Sequence, residues 1–333
     1  MIVTLPDTSA SQIESTLTDM RHSGGAVALG RVLTLVIDML GDENEEAITA
    51  ANDASHEHPC RVIAVLRGPR RGGPRVDAEI RVGGDAGASE VIVLRLSGKL
   101  ADHANAMVLP LLLPDAPVVV WWPDDTPDVP ADDPVGQMAQ RRITDAAAQT
   151  RPVAELDKRR RSYSDGDTDL SWTRLTLWRG LLAAALDQPP HDKITAVRVV
   201  GEAASPSTEL LAAWLAEYLR CPVTRETTEA PGIRSVTLER RSGDIEMIRF
   251  DGRIATVNQP GQPERRVALP RRGLAECLAE ELRRLDADEV YARALLKGLP
   301  RLEKASRPRE SRRSAERAAA ATRGDATSGK ERE

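Results

Sequence analysis

Asp169-Leu-Ser-Trp-Thr-Arg-Leu-Thr-Leu-Trp-Arg179, continuing as Gly180-Leu-Leu-Ala-Ala-Ala-Leu186, lies near the middle of a chain of 333 residues. Read at a helical period, Trp172, Leu175, Trp178, Arg179 and Leu182 share one face, and Leu170, Leu177, Leu181 and Ala185 make a second. A helix apolar on two sides must be covered on two sides. The segment therefore predicts a linker helix held between two halves of the molecule, or between one half and a partner. Asp167 or Asp169 supplies its cap, and Gln188-Pro189-Pro190 its stop. The whole chain has five Trp, three Tyr and one Phe, and Trp121, Trp122, Tyr163, Trp172 and Trp178 all fall in its middle. Taken singly, each Trp reads as a large core residue. Arg174 and Arg179 make the segment unusual, because a planar cation among apolar neighbours needs a carboxylate, a phosphate or an aromatic face.

Upstream, apolar runs of strand length alternate with helical stretches. Ser11–Arg21 reads as a helix, Gly24-Gly25 as a break, Val32–Ile37 as a strand and Glu43–Ser55 as a surface helix. Arg61–Leu66 and Val76–Val82 read as strands joined by the long hairpin loop Gly68–Arg75, with Ser89–Leu96 as the next strand and Asp102–Leu113 as a helix or a helix with a turn. Asp115-Ala-Pro-Val-Val-Val-Trp-Trp-Pro123 has the β-branched run of a strand buried on both faces. It empties into Asp124–Pro134, a loop with five aspartates and no base, stiffened by proline and expected to be solvated. Arg141–Asp145 and Val153–Arg161 follow as a short strand and a helix.

Downstream, Lys193–Val200 is a strand turning at Gly201. Ser205-Pro206 then opens a helix with Ser at the cap and Pro in the first turn, its Leu210, Leu211, Trp214, Leu215, Tyr218 and Leu219 on one face. Ser235–Arg240, Asp244–Phe250 and Arg253–Val257 form a meander with an Asp251-Gly252 turn, and helices near Gly273–Leu285 and Asp288–Leu299 close the fold, the second capped by Asp286 with Glu289. The fold class is α/β: two α/β domains, each a mixed sheet packed with helices. The first spans residues 1–188 and includes the Trp-containing linker helix, the second spans 189–303, and 304–333 is a charged flexible tail.

Composition excludes several classes of function. An apolar share of 41%, a charged share of 29% and a net charge of −5 describe a globular protein that would repel polyanions, so neither nucleic acid nor a membrane surface is expected as a partner. No apolar run reaches bilayer length and Met1–Pro6 lacks a signal-peptide pattern, which predicts a cytoplasmic protein. Cys60, Cys221 and Cys277 are odd in number and far apart, as for reduced thiols, with Cys277 on the apolar face of its helix. His56-Glu-His58-Pro-Cys60 falls where a helix hands over to a strand, and no second cluster completes a ligand set, so no metal is expected. Glycine-rich phosphate loops and GxSxG elbows are absent, and five histidines leave few acid–base candidates, so neither a cofactor nor a catalytic centre is expected. The Gly201–Ser205 turn offers free amides to an anion, and Arg70, Arg71 and Arg75 lie in the predicted hairpin loop.

Five motifs occur in order: HPCRVI (His58–Ile63), DAPVVVWWP (Asp115–Pro123), RRITDAA (Arg141–Ala147), DLSWTRLTLWR (Asp169–Arg179) and SPSTELLAAWLAEYL (Ser205–Leu219). Together they resemble the bacterial glucose-6-phosphate dehydrogenase assembly protein family, OpcA, over about residues 10–300. The resemblance implies a non-catalytic partner that binds glucose-6-phosphate dehydrogenase, favours its active oligomer as an allosteric activator, and acts at the entrance to the oxidative pentose phosphate pathway. In photosynthetic members cysteine redox state tunes the effect, but no such role is assigned here to Cys60, Cys221 or Cys277. The expected partner surface comprises Trp121, Trp122, Asp124, Asp125, Trp172, Arg174, Trp178 and Arg179, with the acidic loop steering the encounter. A sugar-phosphate- or nucleotide-binding sensor using the Gly201–Ser205 turn is the alternative.

Overall fold

The structure, a computed structural model, describes residues 1–23, 32–41, 44–82 and 90–306. The Gly24-Gly25 break and the tail beyond 306 lie outside the described residues. In chain order the elements are β1 (Ile2–Leu5), α1 (Ala10–Ser23), β2 (Leu33–Leu40), α2 (Glu45–Ala54), β3 (Cys60–Arg67), β4 (Arg75–Val82), β5 (Glu90–Ser97), α3 (Ala104–Val108), β6 (Val118–Trp122) and β7 (Arg141–Thr144). Then come α4 (Pro152–Ser162), β8 (Asp167–Asp169), α5 (Leu170–Thr173) and α6 (Thr176–Leu186). The remainder is β9 (Ala196–Glu202), α7 (Pro206–Leu219), β10 (Val223–Thr228), β11 (Ile233–Glu239), β12 (Ile245–Arg249), β13 (Ile254–Asn258), β14 (Arg265–Ala268), α8 (Leu274–Arg283), α9 (Glu289–Arg293) and, after a π turn, α10 (Leu299–Ser306). No helix among the described residues is long and apolar enough to cross a membrane.

The strands form two mixed sheets, ordered β1-β4-β5-β3-β2-β6-β7-β8 and β10-β9-β11-β12-β13-β14, each packed with helices. In the first, β2, β3 and β6 are parallel neighbours, with Val36 opposite both Ile63 and Val120. Such strands are apolar on both faces because helices cover both. Leu35, Ile37, Val62 and Trp121 face α2 and α8, while Val36, Ile63, Val120 and Trp122 face α1 and the α3 region. Consecutive tryptophans therefore enter two different cores, as the alternation of a strand requires. Helix α8 comes from the far end of the chain, yet its Cys277, Leu278 and Leu282 complete the first sheet's core. The second sheet packs against α4, α6, α7 and α9.

Three expectations need correction. Gly68–Arg75 is not a hairpin loop: β5 lies between β3 and β4, pairing parallel with the first and antiparallel with the second. A strand as apolar as β3 needs a covered neighbour on each side, whereas β4 alternates and suits the margin. The linker helix is broken at Arg174-Leu175, where Arg272 donates to the Thr173 carbonyl at 3.0 Å. It is enclosed on two sides only in its first turn, where Leu170 enters one core and Trp172 another; on α6 Leu177 is 37% exposed. Asp169 is the cap, accepting from the Ser171 amide at 2.9 Å. The cap of α9 is Asp288, not Asp286. Strands β8, β10 and β14 were not expected; they are short or largely exposed edge strands with weak apolar patterns.

Candidate functional site

In the first sheet the strand order reverses between β2 and β6, and in open α/β sheets the crevice beyond the carboxyl ends at such a switch is where ligands bind. The acidic loop fills that position. Its floor is the Trp122 indole, which donates to Asp38 Oδ2 at 3.1 Å, while Arg67 Nε donates to Asp38 Oδ1 at 2.7 Å. Burial pushes the Asp38 carboxyl up from its ordinary range, against the opposing pull of Arg67. The loop is tied down more firmly than a solvated segment would be. Thr126 is buried, Asp133 accepts from the Val135 and Gly136 amides at 2.8 and 3.2 Å, and Lys158 reaches Asp128 at 2.5 Å. Gly136 is required there, since a Cβ would stand 1.9 Å from the Pro130 carbonyl oxygen. Asp124, Asp125, Asp128 and Asp132 remain exposed as a rim.

Beside this rim lies the Arg174 cluster. Arg174 grips Asp145 with both Nη atoms, at 2.7 and 2.6 Å. Behind them Asp169, wholly buried, accepts from Thr144 Oγ1, the Ala146 amide and the Ser171 amide at 2.6, 2.9 and 2.9 Å. Burial first, and the Asp145 charge second, raise the Asp169 carboxyl to about 6. Arg179 finds an aromatic face instead, its guanidinium 3.7 Å from the Trp172 ring centroid, and burial lowers its pKa. Trp172 Nε1 donates to Asp288 at 2.8 Å.

Three adjoining clefts divide the expected partner residues. Trp121, Asp124 and Arg174 line one of about 340 Å³ with Arg272; Trp122 and Asp125 line one of about 290 Å³ with Asp38 and Arg67; Arg174 and Trp178 line one of about 380 Å³ at the start of α7. Trp172 and Arg179 belong to none of the three. Trp121, Trp122 and Trp178 back these clefts from within and, with Trp172, are all 2% exposed or less. A side chain so enclosed holds its surroundings in place. Asp124, Asp125 and, partly, Arg174 and Arg179 reach solvent.

Asp38, Arg67, Asp145, Arg272 and Arg249 were not singled out from sequence. Two carried a signal. Asp38 is a lone carboxylate within the apolar run Leu33–Leu40, and Arg249 falls in phase with the buried Ile245 and Met247 of β12.

Comparison with known proteins covers the same ground. Residues 51–161 match a family model described as the glucose-6-phosphate dehydrogenase subunit N-terminal domain, and residues 165–295 match the corresponding C-terminal domain. A putative OxPP cycle protein OpcA of Synechococcus elongatus is 25% identical over 238 residues, covering 67% of this chain and 53% of that protein. The chain thus spans about half the length of that relative. Among solved structures, an oxidoreductase from Sinorhizobium meliloti is similar at a TM-score of 0.46 and 9% identity, covering 81% of this chain and 97% of that one. One from Pseudomonas syringae is similar at 0.40 and 8%, covering 83% and 95%. Likeness at these scores carries no argument about this chain.

Proposed function

The chain belongs to the OpcA family of glucose-6-phosphate dehydrogenase subunits, and from that premise we propose that it is a non-catalytic assembly factor and allosteric activator of glucose-6-phosphate dehydrogenase, acting in the cytoplasm in the oxidative pentose phosphate pathway. The observation that carries the reading is the pair of family segments, which follow one another through most of the described fold and each supply residues of the Arg174 cluster, Asp145 from the first and Asp169 and Arg174 from the second. The geometry supports it in a second way. The group with the most perturbed carboxyl of the cluster, Asp169, is sealed from solvent and occupied by three donors, which suits a structural strut better than a proton shuttle.

The proposed partner surface is the exposed acidic rim of Asp124 and Asp125 together with the solvent edges of Arg174 and Arg179, with Trp121, Trp122, Trp172 and Trp178 as the rigid backing that fixes their geometry. An activator shifts its target only by binding one state better than another. A thirtyfold preference needs about 2 kcal/mol of differential contact, within reach of one or two well-placed charged anchors. The test is to titrate the purified chain into glucose-6-phosphate dehydrogenase of the same organism while following rate and particle mass. Both are expected to rise, and Asp124→Lys with Asp125→Lys to weaken the response. An unchanged rate and mass would overturn the proposal, and turnover of a metabolite by the chain alone would overturn its non-catalytic part.

A further inference from the structure

The cleft at the start of α7 gathers four arginines, Arg174, Arg249, Arg271 and Arg272, around a space of about 380 Å³, with Glu202 and Ser205 also on its wall. Two of the four are neutralised, Arg174 by Asp145 and Arg272 by Glu280. The other two are not. Arg249 is 6% exposed and donates only to the backbone carbonyls of Leu269 and Ile233, at 3.3 and 3.1 Å. Arg271 donates to the Pro231 carbonyl at 2.9 Å. Among the described residues neither makes an ion pair with a carboxylate.

These two cations also border a common point. A Cβ built on Gly232 would stand 3.6 Å from Arg249 Nη2 and 4.0 Å from Arg271 Nε. Holding like charges there is unfavourable, and Arg249 is accordingly pulled down to about 10, by burial first and by Arg271 second. A carbonyl dipole stabilises a guanidinium without cancelling its charge, so the cleft keeps a positive potential. The first turn of the fourteen-residue helix α7, Ser205 to Ser207, forms part of the same wall, and a helix of that length adds a partial positive charge at its start. Glu202 opposes this: its carboxylate accepts from the Gly232 amide at 2.8 Å and keeps its charge, so the wall carries two guanidinium groups without ion-pair partners against one carboxylate.

We propose that this cleft binds a small phosphate monoester, with the phosphate held between Arg249, Arg271 and the first turn of α7, and the organic part toward Ala147 and Pro152. A phosphate group offers the acceptor oxygens that two guanidinium forks without ion-pair partners require, and its negative charge suits a wall on which arginines outnumber carboxylates. The space is of the size that takes a single small metabolite. The site needs no protein partner, so it stands or falls apart from the dehydrogenase reading.

The full chain, without any dehydrogenase, is titrated with inorganic phosphate, glycerol 3-phosphate and ribose 5-phosphate, with ribose and chloride at matched ionic strength as controls, and followed by thermal unfolding and calorimetry. A saturable rise in Tm with the phosphate esters and none with ribose or chloride is expected. Arg271→Gln, at an exposed position, should weaken binding about tenfold, and Arg249→Lys should weaken it while leaving the fold intact. Arg283→Gln on α8, outside the cleft, should leave it unchanged. Three results would each overturn the proposal: no saturable response to any phosphate probe, an equal response to ribose or chloride, or undiminished binding in Arg271→Gln.

Discussion

The two sheets bury their arginines in different company. In the first, Arg61 meets Glu90, Arg67 meets Asp38, Arg141 meets Glu281 and Arg142 meets Asp167, each across 3.1 Å or less. In the second, Arg249 and the buried Arg240 donate only to backbone carbonyls. A carboxylate cancels the charge and leaves a strut that ties elements together, as Arg141 on β7 ties down α8. A carbonyl leaves the charge in place. Carbonyl company alone does not make a site, for Arg240 closes a turn against Gly243 and Pro190, whereas Arg249 faces a cleft. The buried arginines of the first sheet are thus cancelled by carboxylates, and the cleft at the second keeps a cation that is not.

The sharpest way to break that contrast is Glu281→Ala. Glu281 is 5% exposed and accepts from Arg141 Nε at 3.2 Å and from the hydroxyls of Thr168 and Thr173. Removing it strands a buried guanidinium, and about 3–5 kcal/mol of stability should be lost in urea unfolding. A loss below about 1 kcal/mol would mean that Arg141 does not depend on its carboxylate.

Next in size is the pH response of Asp169. Its folded pKa, about 6, lies above the ordinary carboxylate value, so between roughly pH 4 and 6 the folded state holds the proton more tightly than the unfolded chain. Stability from this group is therefore greatest at the acid end, declines as pH rises through about 6, and is flat above; two pH units correspond to about 3 kcal/mol at most. Because the Asp145 charge is the second cause, Asp145→Asn should flatten the slope of unfolding free energy across that window, whatever it does to the absolute value. An unaltered slope would remove the coupling.

Much of this was readable in advance where one interaction dominates. Continuous apolar runs announced β2, β3 and β6, and the Ser205-Pro206 pair announced α7, because burial on both faces and a capped first turn leave local marks. The site was legible only in part. Arg174 and Arg179 stood out as cations needing company, and they found a carboxylate and an aromatic face, but the identity of Asp145 depends on a contact between strand β7 and helix α5 that no spacing reveals. Scarcity marks the tryptophans as important without marking whether they are exposed. The strand order failed at Gly68–Arg75 because a loop's turn chemistry says where the chain bends and not which strand it returns beside.

A smaller effect is expected at Arg249. Changing it to Met forfeits two carbonyl hydrogen bonds but also relieves a buried, unmatched charge, so the net cost should stay within about 2 kcal/mol. Loss on the scale of Glu281→Ala would show that carbonyl-held and carboxylate-held arginines are structurally equivalent, and the contrast between the sheets would fail.

The smallest effect is expected on the same helix as the largest. Arg283 of α8 reaches Glu57 at 3.2 Å, but both side chains are about 60% exposed, at 61% and 59%. Water screens such a pair and ordering two long side chains offsets most of its attraction, so Glu57→Ala should cost less than about 1 kcal/mol, and the cost should vanish in high salt. The hold of α8 on the first sheet would then rest on its inner face, where Cys277 and Leu278 are fully enclosed and Leu282 is 3% exposed. If Glu57→Ala instead proved as damaging as Glu281→Ala at every salt concentration, enclosure would not be what separates a strut from an ornament, and the reading of the uncompensated arginines near α7 would lose its physical basis.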